Sequence, residues 1–215
     1  TANRCLSDAS SAPVPRNLYE SLLYEGEITL LFADTGVGKS LFAVQIAEHI
    51  SRTDRVLYID LELSDKQFEK RYSQNYKNHY RFNKNFYRVD YQPYMSLALE
   101  AIEYDKLFIM SLRQMIEQFD VNVIIIDNMT KLITSDTDSA RAAKPMMDKL
   151  CELKFEYGLT MLLLEHTRKK ELLTPLSLND LQGSKMKTNF ADSVFCIGRS
   201  AKGKNLRYVK QLKCR

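Results

Sequence analysis

The sequence predicts an α/β protein whose mostly parallel sheet is covered by helices on both faces. Three observations carry that prediction. Near-continuous apolar runs of strand length recur, as in Arg55–Leu61, Val121–Asp127 and Thr160–Leu164, without the polar alternation of a sheet that has one wet face. Stretches with apolar residues at helical spacing lie between them. The first apolar run, within Gly26–Phe32, passes directly into a small-residue loop and then a helical pattern.

Taken in order, residues 1–16 are rich in Ser, Ala and Pro and read as an arm or linker, leaving 17–215 as one domain. Leu18, Leu22, Leu23 and Tyr24 lead into the first strand. After the loop, Phe42, Ala43, Ile46, Ala47 and Ile50 form the apolar stripe of a helix over about Lys39–Ser51. The strand Arg55–Leu61 ends at Glu62, and Ser64 is a suitable N-cap for a polar helix through Lys66, Phe68 and Arg71. Between 72 and 95, six tyrosines alternate with Lys77, Arg81, Lys84 and Arg88 around a short strand near Phe86–Val89. Such interleaving can stack bases and hold phosphates, or can be an exposed excursion. Phe108, Leu112, Met115, Ile116 and Phe119 mark a core-facing helix over about Asp105–Phe119. A further helix over about Ser139–Tyr157 packs through Ala143, Met147, Leu150 and Leu153, and Gly158 suits its stop. Ser193–Ile197 and Leu206–Leu212 are two closing strands around a polar turn at Ala201–Asn205, expected to be antiparallel.

Composition narrows the class. At 215 residues, with 45% hydrophobic and 27% charged, the chain suits one globular α/β domain. No apolar run approaches a membrane span, and residues at the start of the sequence do not show a basic-then-apolar signal pattern. The four cysteines show no paired spacing and the three histidines lie far apart. That argues against a metal cage or disulfide framework and fits a reducing cytoplasm. The net charge of +4 is unevenly spread: His166–Arg215 holds twelve Lys/Arg against three Asp/Glu. A basic C-terminal third is a plausible footprint for an anionic partner, nucleic acid first, and equally a solvated face.

The loop carries the chemistry. In Ala33-Asp34-Thr35-Gly36-Val37-Gly38-Lys39-Ser40, followed by Leu41, the glycines let backbone N–H groups turn toward a polyphosphate. Lys39 can reach the β and γ oxygens, and Ser40 can hold Mg2+. Ala33 stands where a first glycine is common, a tolerated change. The nucleotide expected is ATP. Hydrolysis needs a second acidic hold on magnesium, and Asp127, ending the most hydrophobic strand, is the candidate. Glu62 ends a neighbouring strand and can orient or deprotonate water. Asp60 competes from the same side of that strand, with Glu62 nearer the ligand end.

The order of phosphate loop, Asp-Leu-Glu62-Leu-Ser, Ile-Ile-Ile-Asp127-Asn and Leu-Leu-Leu-Glu-His166-Thr resembles the RecA/DnaB-type ATPase core. Within that group it is most similar to RepA-type hexameric helicases and AAA-family ATPases of plasmids and mobile elements. Asn179–Lys185, Ala191–Phe195 and Tyr208–Arg215 extend the resemblance over roughly 14–215. It implies a RecA-like P-loop NTPase fold, with Glu62 activating water, Asp127 as the magnesium-side acid and His166 sensing the γ-phosphate. It also implies that Lys213 and Arg215 project into a neighbouring subunit's site. That would make a head-to-tail homo-oligomer, a hexameric ring or a filament, in which hydrolysis depends on assembly. Residues 131–142 and 167–190 match loops lining the central channel of ring-shaped relatives, so Lys185 and Lys187 would contact single-stranded DNA. A basic edge strand is the plainer account of Lys213 and Arg215. Three other readings compete with a DNA motor: a KaiC-like regulatory switch, a nucleotide-holding DNA-binding assembly factor, and, less supported, a small-molecule kinase.

Overall fold

The computed structural model describes residues 1–91, 101–132, 140–168, 174–181 and 185–214. Helix α1 (Ala2–Ser10) precedes a hairpin of β1 (Asn17–Tyr19) and β2 (Leu23–Tyr24). Then come β3 (Ile28–Ala33), α2 (Lys39–Ile50), β4 (Val56–Asp60) and α3 (Asp65–Arg71). A small hairpin, β5 (Ser73–Gln74) and β6 (Asn78–His79), leads to β7 (Phe86–Asp90). The second half runs α4 (Ala101–Phe119), β8 (Val123–Asp127), α5 (Ala140–Tyr157), β9 (Thr160–His166), α6 (Lys185–Phe190), β10 (Ser193–Arg199) and β11 (Arg207–Lys213). Single 3-10 turns lie at Met129–Lys131 and Leu178–Asp180.

Seven strands form one sheet in the order β11-β10-β3-β9-β8-β4-β7. Pairing is parallel except between β10 and β11, which are antiparallel. This is the RecA-like P-loop architecture expected, closing strands included. Period-two alternation divides the core between the two faces. Leu30, Phe32, Ile126 and Leu163 pack toward α4 and α5, while Leu31, Ala33, Ile125 and Leu164 pack toward α2. The consequence for the site is direct. Asp127 follows the α2 side, and the Cα register sets Asp60 beside Asp127 at the carboxyl ends of β4 and β8.

Departures from the sequence expectations are local. The arm contains α1, in which Arg4, Leu6 and the alanines favour helix, yet none of its residues is buried. Arg16, the last residue of the expected arm, is anchored to Glu25 at 2.8 Å and Asp54 at 2.7 Å. The tyrosine-rich stretch is partly core: Tyr72 and Phe82 pack on Phe68, and Phe82 meets Phe86. Arg88 is held by Asp60 and Asp65. Tyr76 and Tyr80 are the exposed aromatics there, and Tyr94 lies outside the described residues.

Gly198 pairs across the β10–β11 ladder with Tyr208, whose hydroxyl accepts a hydrogen bond from the Leu176 amide at 3.0 Å. A Cβ on Gly198 would run into the Tyr208 ring. Gly198→Ala is therefore expected to lower unfolding free energy by about 1–3 kcal/mol in urea denaturation. At Gly203, where the nearest atom would be Leu206 Cδ1 at 3.4 Å, the same change should cost less than about 0.5 kcal/mol.

Candidate functional site

The turn between β3 and α2 holds Gly36 at φ 71° and Gly38 at φ 106°. These are left-handed values that a side chain resists. Gly38 is the N-cap of α2, and no side chain caps the first turn of that helix. Its amides are thus available to an anion, reinforced by the helix dipole. The loop and the first turn of α2, from Asp34 to Leu41 with the exception of Val37, line a cavity of about 330 Å³ together with Glu62, Arg71 and His166. Val37 is buried, and its carbonyl accepts a hydrogen bond from Arg207 Nε at 3.3 Å. Ala33 ends β3 in the core beneath the loop. A larger cavity of about 410 Å³ on the flank of α2, walled by Tyr19, Tyr72, Tyr80 and Phe82, includes Glu48 but neither the glycine turns nor Glu62.

Under the loop, Lys39 Nζ meets Asp127 Oδ1 at 3.2 Å, with side chains 5% and 2% exposed. Tyr58 donates its hydroxyl to Asp127 Oδ2 at 2.7 Å. Burial, then the Asp127 charge, pushes the Tyr58 phenol well above its ordinary pKa, so it stays a donor. Among the described residues no cluster of three or more His, Cys, Asp or Glu could cage a metal. Mg2+ needs no such cage: it takes one or two protein oxygens, with substrate phosphates supplying others. Ser40, in the cavity wall, and Asp127 fit that donor set.

Beside this pair is a second constellation. Glu62 lies just beyond β4, and its Oε1 accepts from Asn128 Nδ2 and lies 3.3 Å from His166 Nε2. Asn128 Nδ2 is 3.0 Å from the same imidazole nitrogen. The two contacts correspond to two imidazole states: Nε2–H donates to Glu62, or the Nε2 lone pair accepts from Asn128. The His166 hydrogen bond, with help from the Lys39 charge and against burial, holds the Glu62 carboxyl below the usual range. Asn128 Oδ1 is buried with no donor among the described residues.

Asp60 has a different task. It accepts from the amides of Glu62 at 3.0 Å and Leu63 at 2.9 Å, and Arg88 braces it. Burial pushes its carboxyl up against those bonds. Asp60 thus shapes the turn that presents Glu62. Alternation along an ideal strand could not separate the two acids, because the chain leaves the strand between them.

Two nominated cations turn inward. Lys187 is 1% exposed, and its ammonium meets Glu165 Oε1 at 2.5 Å, so it is not offered to a nucleic acid. Lys213 Nζ donates to the carbonyls of Ala191 at 2.6 Å and Thr188 at 2.7 Å, closing the end of α6 within its own subunit. Lys185 opens α6, but its side chain and Arg215 lie outside the described residues. Arg71 went unnoticed in the sequence, where it is one cation on a polar helix. In the fold it lines the phosphate-loop cavity and has no carboxylate partner among the described residues.

A family model described as an AAA domain matches residues 4–171. No curated protein matches the chain. None of the described helices is long and apolar enough to cross a membrane.

Two outcomes follow from this geometry. Arg71→Ala should weaken binding of a non-hydrolysable nucleoside triphosphate about tenfold or more by calorimetry, the loss of one charge-assisted contact. Because His166 depresses the Glu62 pKa, the carboxylate persists into mildly acidic solution. In His166→Ala that pKa rises, so the acid limb of the turnover profile should move to higher pH than in the unmodified chain.

Proposed function

The chain belongs to the AAA-domain family of P-loop ATPases, and from that premise we propose that it hydrolyses ATP with Mg2+ as a motor on single-stranded DNA. Its setting would be the replication or mobilisation of a plasmid or similar mobile element, with copies arranged head to tail. The observation that carries the hydrolysis reading is the meeting of two groups at one cavity. Lys39 and Asp127 supply the buried charge pair, and Glu62, Asn128 and His166 supply a carboxylate poised by two polar neighbours.

In this reading Lys39 and the amides of the loop bind the β and γ oxygens, and Arg71 meets charge at the γ end. Ser40 and Asp127 would hold the metal ion, which when bound would offset the negative charge of the phosphates. Glu62 orients the attacking water and draws off its proton. His166 holds the Glu62 carboxylate in the ionised form that this task needs, and Asn128 donates to the same oxygen and fixes its place. Support for DNA comes from the resemblance and from the basic C-terminal third.

Lys187, the described cation nominated for DNA, turns inward, and that favours a second reading: an ATP-dependent assembly switch of the KaiC type without DNA. Turnover with and without single-stranded DNA, paired with sizing with and without ATP, discriminates the two. The motor reading expects DNA to raise turnover and to bind less tightly as salt increases. ATP-dependent assembly with turnover indifferent to DNA would replace it by the switch. Glu62→Gln should lower kcat by about 10²–10⁴-fold while leaving ATP affinity near its original value, by single-turnover kinetics and calorimetry. Unchanged hydrolysis in that variant would remove Glu62 from the role.

A further inference from the structure

Glu165 and Lys187 form a buried ion pair that the hydrolytic reading does not use. Glu165 is 0% and Lys187 1% exposed, and their charged atoms stand 2.5 Å apart. The second oxygen of Glu165 accepts from Thr130 Oγ1 at 3.3 Å. Burial pushes the Glu165 carboxyl up, while Lys187, Thr130 and the field of Lys39 oppose it. One carboxylate thus fastens three elements together: β9, the turn after β8, and α6.

The place of each tie gives the pair its meaning. Glu165 is next to His166 at the end of β9, and strand alternation sends the two side chains to opposite faces. Thr130 lies two residues past Asn128, in the 3-10 turn that follows β8. The backbones that carry His166 and Asn128 are therefore clamped together from beneath, on the face away from the Glu62 carboxylate. Lys187 brings α6 into the clamp.

We propose that Glu165 and Lys187 are positioning residues that set His166 and Asn128 against Glu62, so that α6 is mechanically coupled to the hydrolytic carboxylate. The functional part of this rests on the ATP-hydrolysing reading of the site; the positioning itself does not. A shift of α6 is transmitted through the ion pair to the end of β9, and changes how firmly Glu62 is held for water.

The chain has three histidines, so imidazole NMR can follow His166 alone. In Lys187→Met, without nucleotide, the His166 ring resonances should shift while those of His49 and His79 stay in place. In turnover, Lys187→Met should lower kcat about tenfold or more with ATP affinity within about threefold. In a background carrying both His166→Ala and Asn128→Ala the same substitution should change kcat by less than about twofold, because both groups it acts through are gone. If Lys187→Met does not fold, Glu165→Gln combined with Lys187→Met, which removes both charges and nearly keeps volume, takes its place in every arm. An unmoved His166 resonance, or an equal loss of kcat in both backgrounds, overturns the proposal. A chain with no ATPase activity at all overturns the hydrolytic reading instead, and the resonances still decide the clamp.

Discussion

Lys39 and Asp127 face one another at 3.2 Å with almost no solvent access, and the layout of the site follows from what such a pair demands. Two charges withdrawn from water are costly unless each is matched and the spare hydrogen-bonding capacity is filled. Asp127 meets that demand with Lys39 on one oxygen and Tyr58 on the other. The helix that starts at Lys39, the strand that ends at Asp127 and the strand that carries Tyr58 must therefore arrive at one point. Since β9 lies between β3 and β8, the pair ties together elements that do not share a ladder. A polyphosphate bound in the loop would give Lys39 a second anion at the same place, and leave Asp127 with oxygen capacity for a cation. The site can then exchange partners without ever exposing an unmatched charge.

The same economy recurs with each buried acid. Asp60 is matched by two backbone amides and Arg88. Glu165 is matched by Lys187 and Thr130. Glu62 differs: it is reached by neighbours that can change roles, an imidazole and an amide, and it remains in the cavity wall. Buried acids with fixed partners hold geometry. An accessible acid with adjustable partners can do chemistry.

Much of this architecture was legible from residue order because it rests on local patterns. Apolar strand runs, helical stripes and the glycine loop each report a preference of a few consecutive residues, and parallel pairing follows from helices placed between strands. The α6 helix was missed because its six residues, Lys185–Phe190, carry no stripe of their own. The interleaved tyrosines resembled a base-stacking surface, but alternating exposure in sequence does not say which rings find partners. Phe68 and Phe82 decided that for Tyr72, drawing it inward while Tyr76 and Tyr80 stayed exposed.

By itself, the sequence determined that a strand delivers a glycine turn and a lysine to the start of a helix, and that Asp127 and Glu62 stand at strand ends. Those facts depend on neighbours along the chain. What only the tertiary structure decided is how each charge is spent. Lys187 and Lys213 read as outward cations in a basic third of the chain, yet one is buried against Glu165 and the other closes α6. Arg71 read as one helix charge among several, yet it reaches the phosphate-loop cavity. Charge sign is written in composition. The partner, and with it the role, comes from residues tens of positions away that only folding brings within a hydrogen bond's length.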